Sequence, residues 1–310
     1  MGGSLAAARR DLTGLESALL LDESGNKRVA PVPVVTQVVR SNIEVHTRMA
    51  DAYAREEPHY RAENQAKVKA NLLRVSERTG TGQMLDIGCG AGFVIDLMRD
   101  TFSQIHGIDA TPAMLDRIDI SSGNVTLHEG VAESLPFEDA RFDLVTAYSV
   151  FHHLADHRPV LAEAFRVLRP GGVLYVDLEP NRAFWRAIEA LEQGHEREPA
   201  ILDEIVTREI QAVRHVADDV QARFGIEPEV FRTAEYIKAH LGGFESVEFE
   251  QDAVGAGFRS CDTTYEWFLG QGQLMHGVSF EAAATTESHL RRLLPLTAHL
   301  FKYLRFEVLK

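Results

Sequence analysis

The chain has 310 residues and carries 46 acidic against 32 basic side chains, a formal net charge of −14. That length suits one or two domains with a sizeable core, and 45% apolar with 25% charged residues is an ordinary globular balance, which excludes wholesale disorder. So acidic a surface argues against nucleic acid as a partner, two cysteines make no disulfide framework, and no apolar run reaches the roughly 18 residues of a membrane span; a cytoplasmic protein with no membrane partner is expected.

A short helix suits residues 12–21, and Pro31 and Pro33 predict extended backbone over 30–34. Residues 42–78 have helical composition and predict one or two helices interrupted around Pro58. Residues 83–87 form a short apolar run ending in Gly88-Cys89-Gly90-Ala91-Gly92, after which Phe93, Val94, Leu97 and Met98 recur at helical spacing. Residues 105–108 predict a second strand closed by Asp109. Thr111 suits an N-cap, with Pro112 at the first helical position. A third strand around Val125 and Leu127 and a fourth at 142–148 follow. Pro159 opens a helix that Arg169-Pro170-Gly171-Gly172 stops, before a fifth strand at 173–178. Beyond Glu179, Trp185, Ile188 and Leu191 predict one helix, and Leu202, Val206, Ile210, Val213 and Val220 a longer one. Residues 233–241 read as a helix ending at Gly242-Gly243, 244–249 as a sixth strand, 252–300 as mostly helical, and 302–309 as a final strand.

Short apolar strands alternating with helices predict a parallel sheet covered on both faces, whose ligands sit at the carboxyl ends of the strands near the switch in strand order. Asp86, the glycine loop, Asp109 and His152-His153 all fall at or just after those ends. A glycine turn between strand and helix lets a ligand approach the backbone and the helix N-terminus. A nicotinamide dinucleotide is the first competitor, but glycines at 88, 90 and 92 depart from G-x-G-x-x-G, and Asp86 would set an anion near a pyrophosphate. A carboxylate there suits a cationic group such as an α-ammonium. Asp109, 17 residues past Gly92, can accept both hydroxyl protons of a ribose.

With Leu85 to Gly92, Gly107-Ile108-Asp109, Ala132-Glu133-Ser134-Leu135-Pro136-Phe137, Phe142-Asp143-Leu144-Val145 and Ala164 to Gly172 in order, the chain resembles the class I S-adenosylmethionine-dependent methyltransferases. The likeness is to their small-molecule branch, typified by ubiquinone and menaquinone methyltransferases. It implies an α/β, doubly wound, seven-stranded Rossmann-like sheet with the last strand antiparallel, capped by helices. It also implies S-adenosyl-L-methionine as cofactor. By that resemblance Asp86 with Gly88, Cys89, Gly90 and Gly92 would hold the methionine part, and Asp109 the ribose. Ala110, Thr111 and Met114 would flank the adenine, and Ala132 would meet its edge. Val131 stands where the family often has aspartate, so the usual side-chain acceptor for the adenine amino group is missing, and whether Glu133 replaces it is open. Tyr148 and Ser149 would lie near the sulfonium, and Tyr60, with Arg61, falls in the segment that covers the cofactor.

His152-His153-Leu154-Ala155-Asp156-His157 raises a general base or a metal site. Histidines adjacent in sequence seldom converge on one ion, so no metal is expected, and His152 with Glu179 are the candidate catalytic residues. Tyr53, His59, His152, His153, Asn181 and Trp185 are the candidate acceptor contacts, while Phe184, Tyr265, Trp267 and Phe268 read as pocket wall or core. Cys89 reads as a small packing residue. The expected division is an N-terminal helical segment at 1–78, a cofactor-binding core at 79–181, a helical insertion at 182–232, and C-terminal strands at 233–310 with a helical insertion at 252–300. The implied reaction moves a methyl group to an O, N or C atom of a small-molecule acceptor, secondary metabolites included. A donor-binding protein that acts on a peptide, or that transfers no methyl, stays open, and an NAD(P)-dependent oxidoreductase ranks below it. The oligomeric state is open, a homodimer included.

Overall fold

The computed structural model describes residues 32–195, 207 and 216–310, so the helix expected at 12–21 and Leu202, Val206, Ile210 and Val213 of the longer one lie outside the described residues. Helices α1 (Val32–Met49), α2 (Tyr53–Glu56) and α3 (Ala62–Thr79) come first, with a 3-10 turn at Pro58–Tyr60. The extended reading of 32–34 is corrected, because Pro33 sits in the first turn of α1, where a missing N–H costs nothing. The core then alternates β1 (Gln83–Ile87), α4 (Phe93–Met98), β2 (Gln104–Asp109), α5 (Pro112–Leu115), β3 (Val125–Glu129), β4 (Phe142–Tyr148), α6 (Arg158–Val167) and β5 (Leu168–Pro180). Helices α7 (Arg182–His195), α8 (Val216–Phe224), α9 (Pro228–Ala234), α10 (Tyr236–Leu241) and α11 (Ser246–Gly255) precede β6 (Ser260–Phe268), α12 (Gln271–Gly277), α13 (Phe280–Arg292) and β7 (Phe301–Leu309).

The sheet has seven strands in the order β3-β2-β1-β4-β5-β7-β6. The first five pair in parallel, and β7 runs antiparallel to both β5 and β6. Side chains alternate across it. Met84, Leu144 and Tyr175 pack with Val68, Leu72, Val94 and Ile95 on the α3–α4 face. Leu85, Val145 and Leu174 pack with Val160, Leu161, Phe249 and Ala253 on the α6–α11 face. Strand order reverses between β1 and β4, where Asp86 is in register with Thr146 on one side and Gly107 on the other. The crevice at the carboxyl ends opens there.

Two expectations are corrected in the C-terminal third. Residues 246–255 are helical rather than a strand: Phe249 and Ala253, four apart, are buried, while Val247 is 61% exposed. The sixth strand lies instead at Ser260–Phe268, inside the stretch read as helical, where Thr263, Thr264, Tyr265, Trp267 and Phe268 supply the β-branched and aromatic residues that suit a strand. The helix expected over 233–241 is two, α9 and α10, with Glu235 between them. Among the described residues no helix is long and apolar enough to cross a membrane.

Candidate active site

Two cavities meet above the carboxyl ends of the strands. The smaller, about 120 Å³, runs from Gly88 and Gly90 past Asp109, Ala110, Thr111 and Met114 to Val131, Ala132 and Glu133, under Val38 and Asn42 of α1. A narrow crevice of about 20 Å³ shares Gly88 and Gly90 with it and adds Asp86, Cys89 and Tyr60. The larger cavity, about 450 Å³, lies between α1, α9, α10, α12 and the strand ends. Tyr53, Tyr148, Ser149, His46 and His153 line both.

The glycine loop is shaped by its neighbours. A Cβ on Gly88, whose φ is +62°, would stand 2.6 Å from Val150 Cγ2, so only glycine lets the loop close against β4. Asp109 is held by two backbone amides: Gly90 N donates to one oxygen at 2.9 Å and Thr111 N to the other at 2.8 Å. Each oxygen keeps a lone pair for a ligand hydroxyl. Thr111 is the N-cap of α5 by position, yet its side chain makes no capping bond; its own amide donates to Asp109.

Asp86 is buried and accepts from Thr146 Oγ1 at 2.7 Å. Burial pushes its carboxyl up to about 7, against the Thr146 hydroxyl and with the Asp109 charge adding to the rise. Beside it the Tyr60 hydroxyl is buried with no hydrogen-bond partner among the described residues. A buried carboxylate and an orphan phenol at one end, and an oriented carboxylate 19 residues along the chain from Gly90 at the other, fit a nucleoside-linked amino acid. Glu133 is buried in the lining of the same cavity, with Val131 and Ala132, and burial raises its carboxyl. Burial also pushes the Cys89 thiol well up, which leaves it an inert packing group. Gly92 lines none of these three cavities; its left-handed φ of +89° starts α4 against Ile118.

The larger cavity brings together Tyr53, His59, His152 and His153, but not Glu179, Asn181 or Trp185. Glu179 is fully buried and saturated: its oxygens accept the amides of Val150, Phe151 and His152 at 2.9–3.0 Å and His152 Nδ1 at 2.8 Å. It orients the loop that carries His152 and cannot reach an acceptor. Asn181 donates to the carbonyls of Ala298 and Phe301, pinning the start of α7 to β7. Trp185 packs with Phe184, Ile188 and Leu269 away from the cavity. Burial lowers His152 basicity, but the Glu179 and Glu235 carboxylates outweigh it and lift the imidazolium to about 9. His59, packed among Tyr60, Phe93 and Tyr148, has its pKa lowered by burial to about 4 and is neutral.

Sequence reasoning missed Glu235, Lys238, Lys67, Glu57 and Tyr303, all of which line this cavity, because a charged residue in or beside a helix reads as solvated and Tyr303 as one face of the final strand. Of the four aromatics weighed as wall or core, only Trp267 lines it. Its φ of +58°, with Ser149 at +59° and Leu178 at +61°, puts three of the four left-handed non-glycine residues among those described on this one cavity. Such backbone costs of order 1–3 kcal/mol each and clusters where function needs it.

A sheet that switches order between β1 and β4, with a carboxylate ahead of a glycine turn and a second at the end of the next strand, defines a class I S-adenosylmethionine-dependent methyltransferase domain. Residues 85–176 match the family model described as "Methyltransferase domain". A probable S-adenosylmethionine-dependent methyltransferase of Mycolicibacterium smegmatis is 36% identical over 109 residues, 35% of this chain and 42% of that one. Demethylmenaquinone methyltransferase of Deinococcus radiodurans is 41% identical over 98 residues, 30% of this chain and 41% of that one. Malonyl-[acyl-carrier protein] O-methyltransferase of Serratia marcescens is 31% identical over 131 residues, 41% of this chain and 50% of that one. The chain thus spans half or less of the length of these relatives. Residues 85–176 are a methyltransferase domain of this class, with S-adenosylmethionine as its cofactor.

Proposed function

We propose that the chain as a whole transfers the methyl group of S-adenosylmethionine to an O, N or C atom of a small molecule held in the larger cavity. One observation carries this reading: a cleft over the glycine loop, lined by Asp109 and Glu133, and a second, larger cavity meet at Tyr53, Tyr148 and Ser149. When bound, the donor supplies a methyl already activated by its positive sulfur. The chain's own residues then have to align two reactants and exclude water, and alignment alone supplies roughly 7–11 kcal/mol of barrier reduction. Asp86 and Tyr60 would hold the amino-acid end, Asp109 the ribose, and Glu133 with Ala132 the base.

A volume of about 450 Å³ is that of a small-ligand site. The relatives' names point to unlike acceptors, and the matched residues 85–176 include only Tyr148, Ser149, His152 and His153 of the groups that line the larger cavity. Acceptor choice therefore belongs to the N-terminal segment up to 78 and to the residues after 181, a cap in which β6 must be set apart from the helices.

Titration calorimetry tests the donor site and a labelled-donor screen tests the transfer. S-adenosylmethionine and S-adenosylhomocysteine should bind the wild type, and Asp109→Ala should weaken both by about 10–100-fold, the loss of a charged hydrogen-bond pair. Label should pass to a member of a metabolite panel with release of S-adenosylhomocysteine. Binding of NAD(P) in place of the sulfonium donor would overturn the reading.

A further inference from the structure

We propose that His152, His153 and Glu235 form a binding site for a divalent first-row transition ion, zinc being the simplest, in the wall of the larger cavity. The Nε2 atoms of both histidines lie 3.7 Å from the same Glu235 oxygen, and the three atoms fall within 4.8 Å of one another. A tetrahedral ion with bonds of about 2.0–2.2 Å separates its ligands by about 3.4 Å, so small side-chain movements close the set. Two imidazoles and one carboxylate are the donors that such ions take.

A second observation, independent of that spacing, is where the other ring nitrogens go. His152 Nδ1 donates to Glu179 at 2.8 Å, and His153 Nδ1 donates to the Ala234 carbonyl at 2.8 Å. Both rings are thereby held with Nε2 turned toward Glu235, and a carboxylate or carbonyl behind the ring is how metal-binding histidines are oriented. Glu179 is itself fixed by three backbone amides, so the outer support is rigid. Lys238 occupies the other Glu235 oxygen and leaves Oε1 for the ion. Adjacent histidines converge here because the 3-10 turn Phe151–His153 brings the rings to 4.2 Å between centroids, while Glu235 arrives from the α9–α10 junction.

Three protein donors leave a coordination position open to the cavity, and its natural ligand is an oxygen or nitrogen of the acceptor. That last step rests on the methyl-transfer reading; the ion site does not.

The test is equilibrium dialysis of the untagged full chain against zinc, without donor, followed by metal analysis, with cobalt in parallel for its visible d–d bands. The wild type should retain one zinc per chain. Glu235→Gln and His153→Gln should each lower the affinity by more than the about 10–100-fold that an outer partner contributes, and Glu179→Gln by about that much. His157→Gln, whose ring bonds Asp252 elsewhere, should bind as the wild type does. A folded wild type that retains no zinc, or zinc retained equally by Glu235→Gln and His153→Gln, overturns the site. S-adenosylmethionine affinity is measured on the same samples, so loss of the donor with zinc kept sinks the methyl-transfer reading alone.

Discussion

Asp86 and Glu179 are both buried acids at strand ends, and their surroundings give them opposite work. Glu179 meets four donors and is spent on holding a loop. Asp86 meets one, Thr146, and its unsatisfied burial raises its carboxyl to about 7. In the ligand-free protein that rise costs stability as pH climbs from 3.8 toward about 7, since the fold prefers the protonated acid. A ligand bearing an α-ammonium prefers the carboxylate, so donor affinity should increase as pH rises through about 7. Above that it should fall again as the ammonium, with a pKa of about 7.7–8.0, loses its proton. Asp86→Asn should abolish the acid limb and leave the alkaline one. Calorimetric titration across this range checks it, and an acid limb that persists in the variant would place the titrating group elsewhere. The sequence exposed Asp86 and Asp109 because both follow apolar runs and flank glycines. Nothing in it separates an acid that faces a ligand from one, like Glu179, that faces backbone amides.

At the scale of elements, what was legible followed local pattern. The five parallel strands and the helices between them declare themselves through short apolar runs with glycine or proline stops. The stretch 244–268 misleads because Phe244, Val247 and Phe249 do not show alone which of them is buried. Tertiary contact decides: Phe249 stacks on Phe306 of β7, and α11 closes over the sheet. The entry to α11 is set by Gly243, whose φ is +104° and whose added Cβ would lie 2.2 Å from the Pro180 carbonyl oxygen. That carbonyl accepts from Phe244 N at 2.8 Å, tying the cap to the end of β5. Gly242 beside it also has positive φ, but its Cβ would meet only the Arg182 side chain, at 3.6 Å. Gly243→Ala should therefore destabilise by clearly more than the about 1 kcal/mol expected for Gly242→Ala, measured by urea unfolding. Equal losses would show that the backbone contact gives way without cost.

Over the whole molecule, the parts least readable in sequence are fastened to the sheet by buried charge. Glu266 on β6 pairs with Lys67 of α3 at 2.7 Å and with Arg305 of β7 at 3.2 Å, and Arg291 of α13 stands 3.8 Å away. An N-terminal helix, the two antiparallel strands and a late helix thus share one carboxylate, and Lys67 and Glu266 both reach the larger cavity. No local pattern announces such a cluster, because its members lie up to 238 positions apart and each alone reads as a surface charge. Arg305 keeps Glu307 at 3.2 Å when Glu266 is removed, so Glu266→Gln should cost about 1–3 kcal/mol in urea unfolding, the penalty for a buried charge that loses one of two partners. Burial raises the Glu266 pKa, but Lys67 and Arg305 outweigh it and hold the carboxyl below its usual value. A lowered folded pKa stabilises above the unfolded value of 4.5 and is lost as pH falls through the folded one. The wild type should accordingly converge on the variant's stability in acid. If the two differ by less than about 1 kcal/mol at neutral pH, the strands and helices are held by their apolar faces and the charges are passengers.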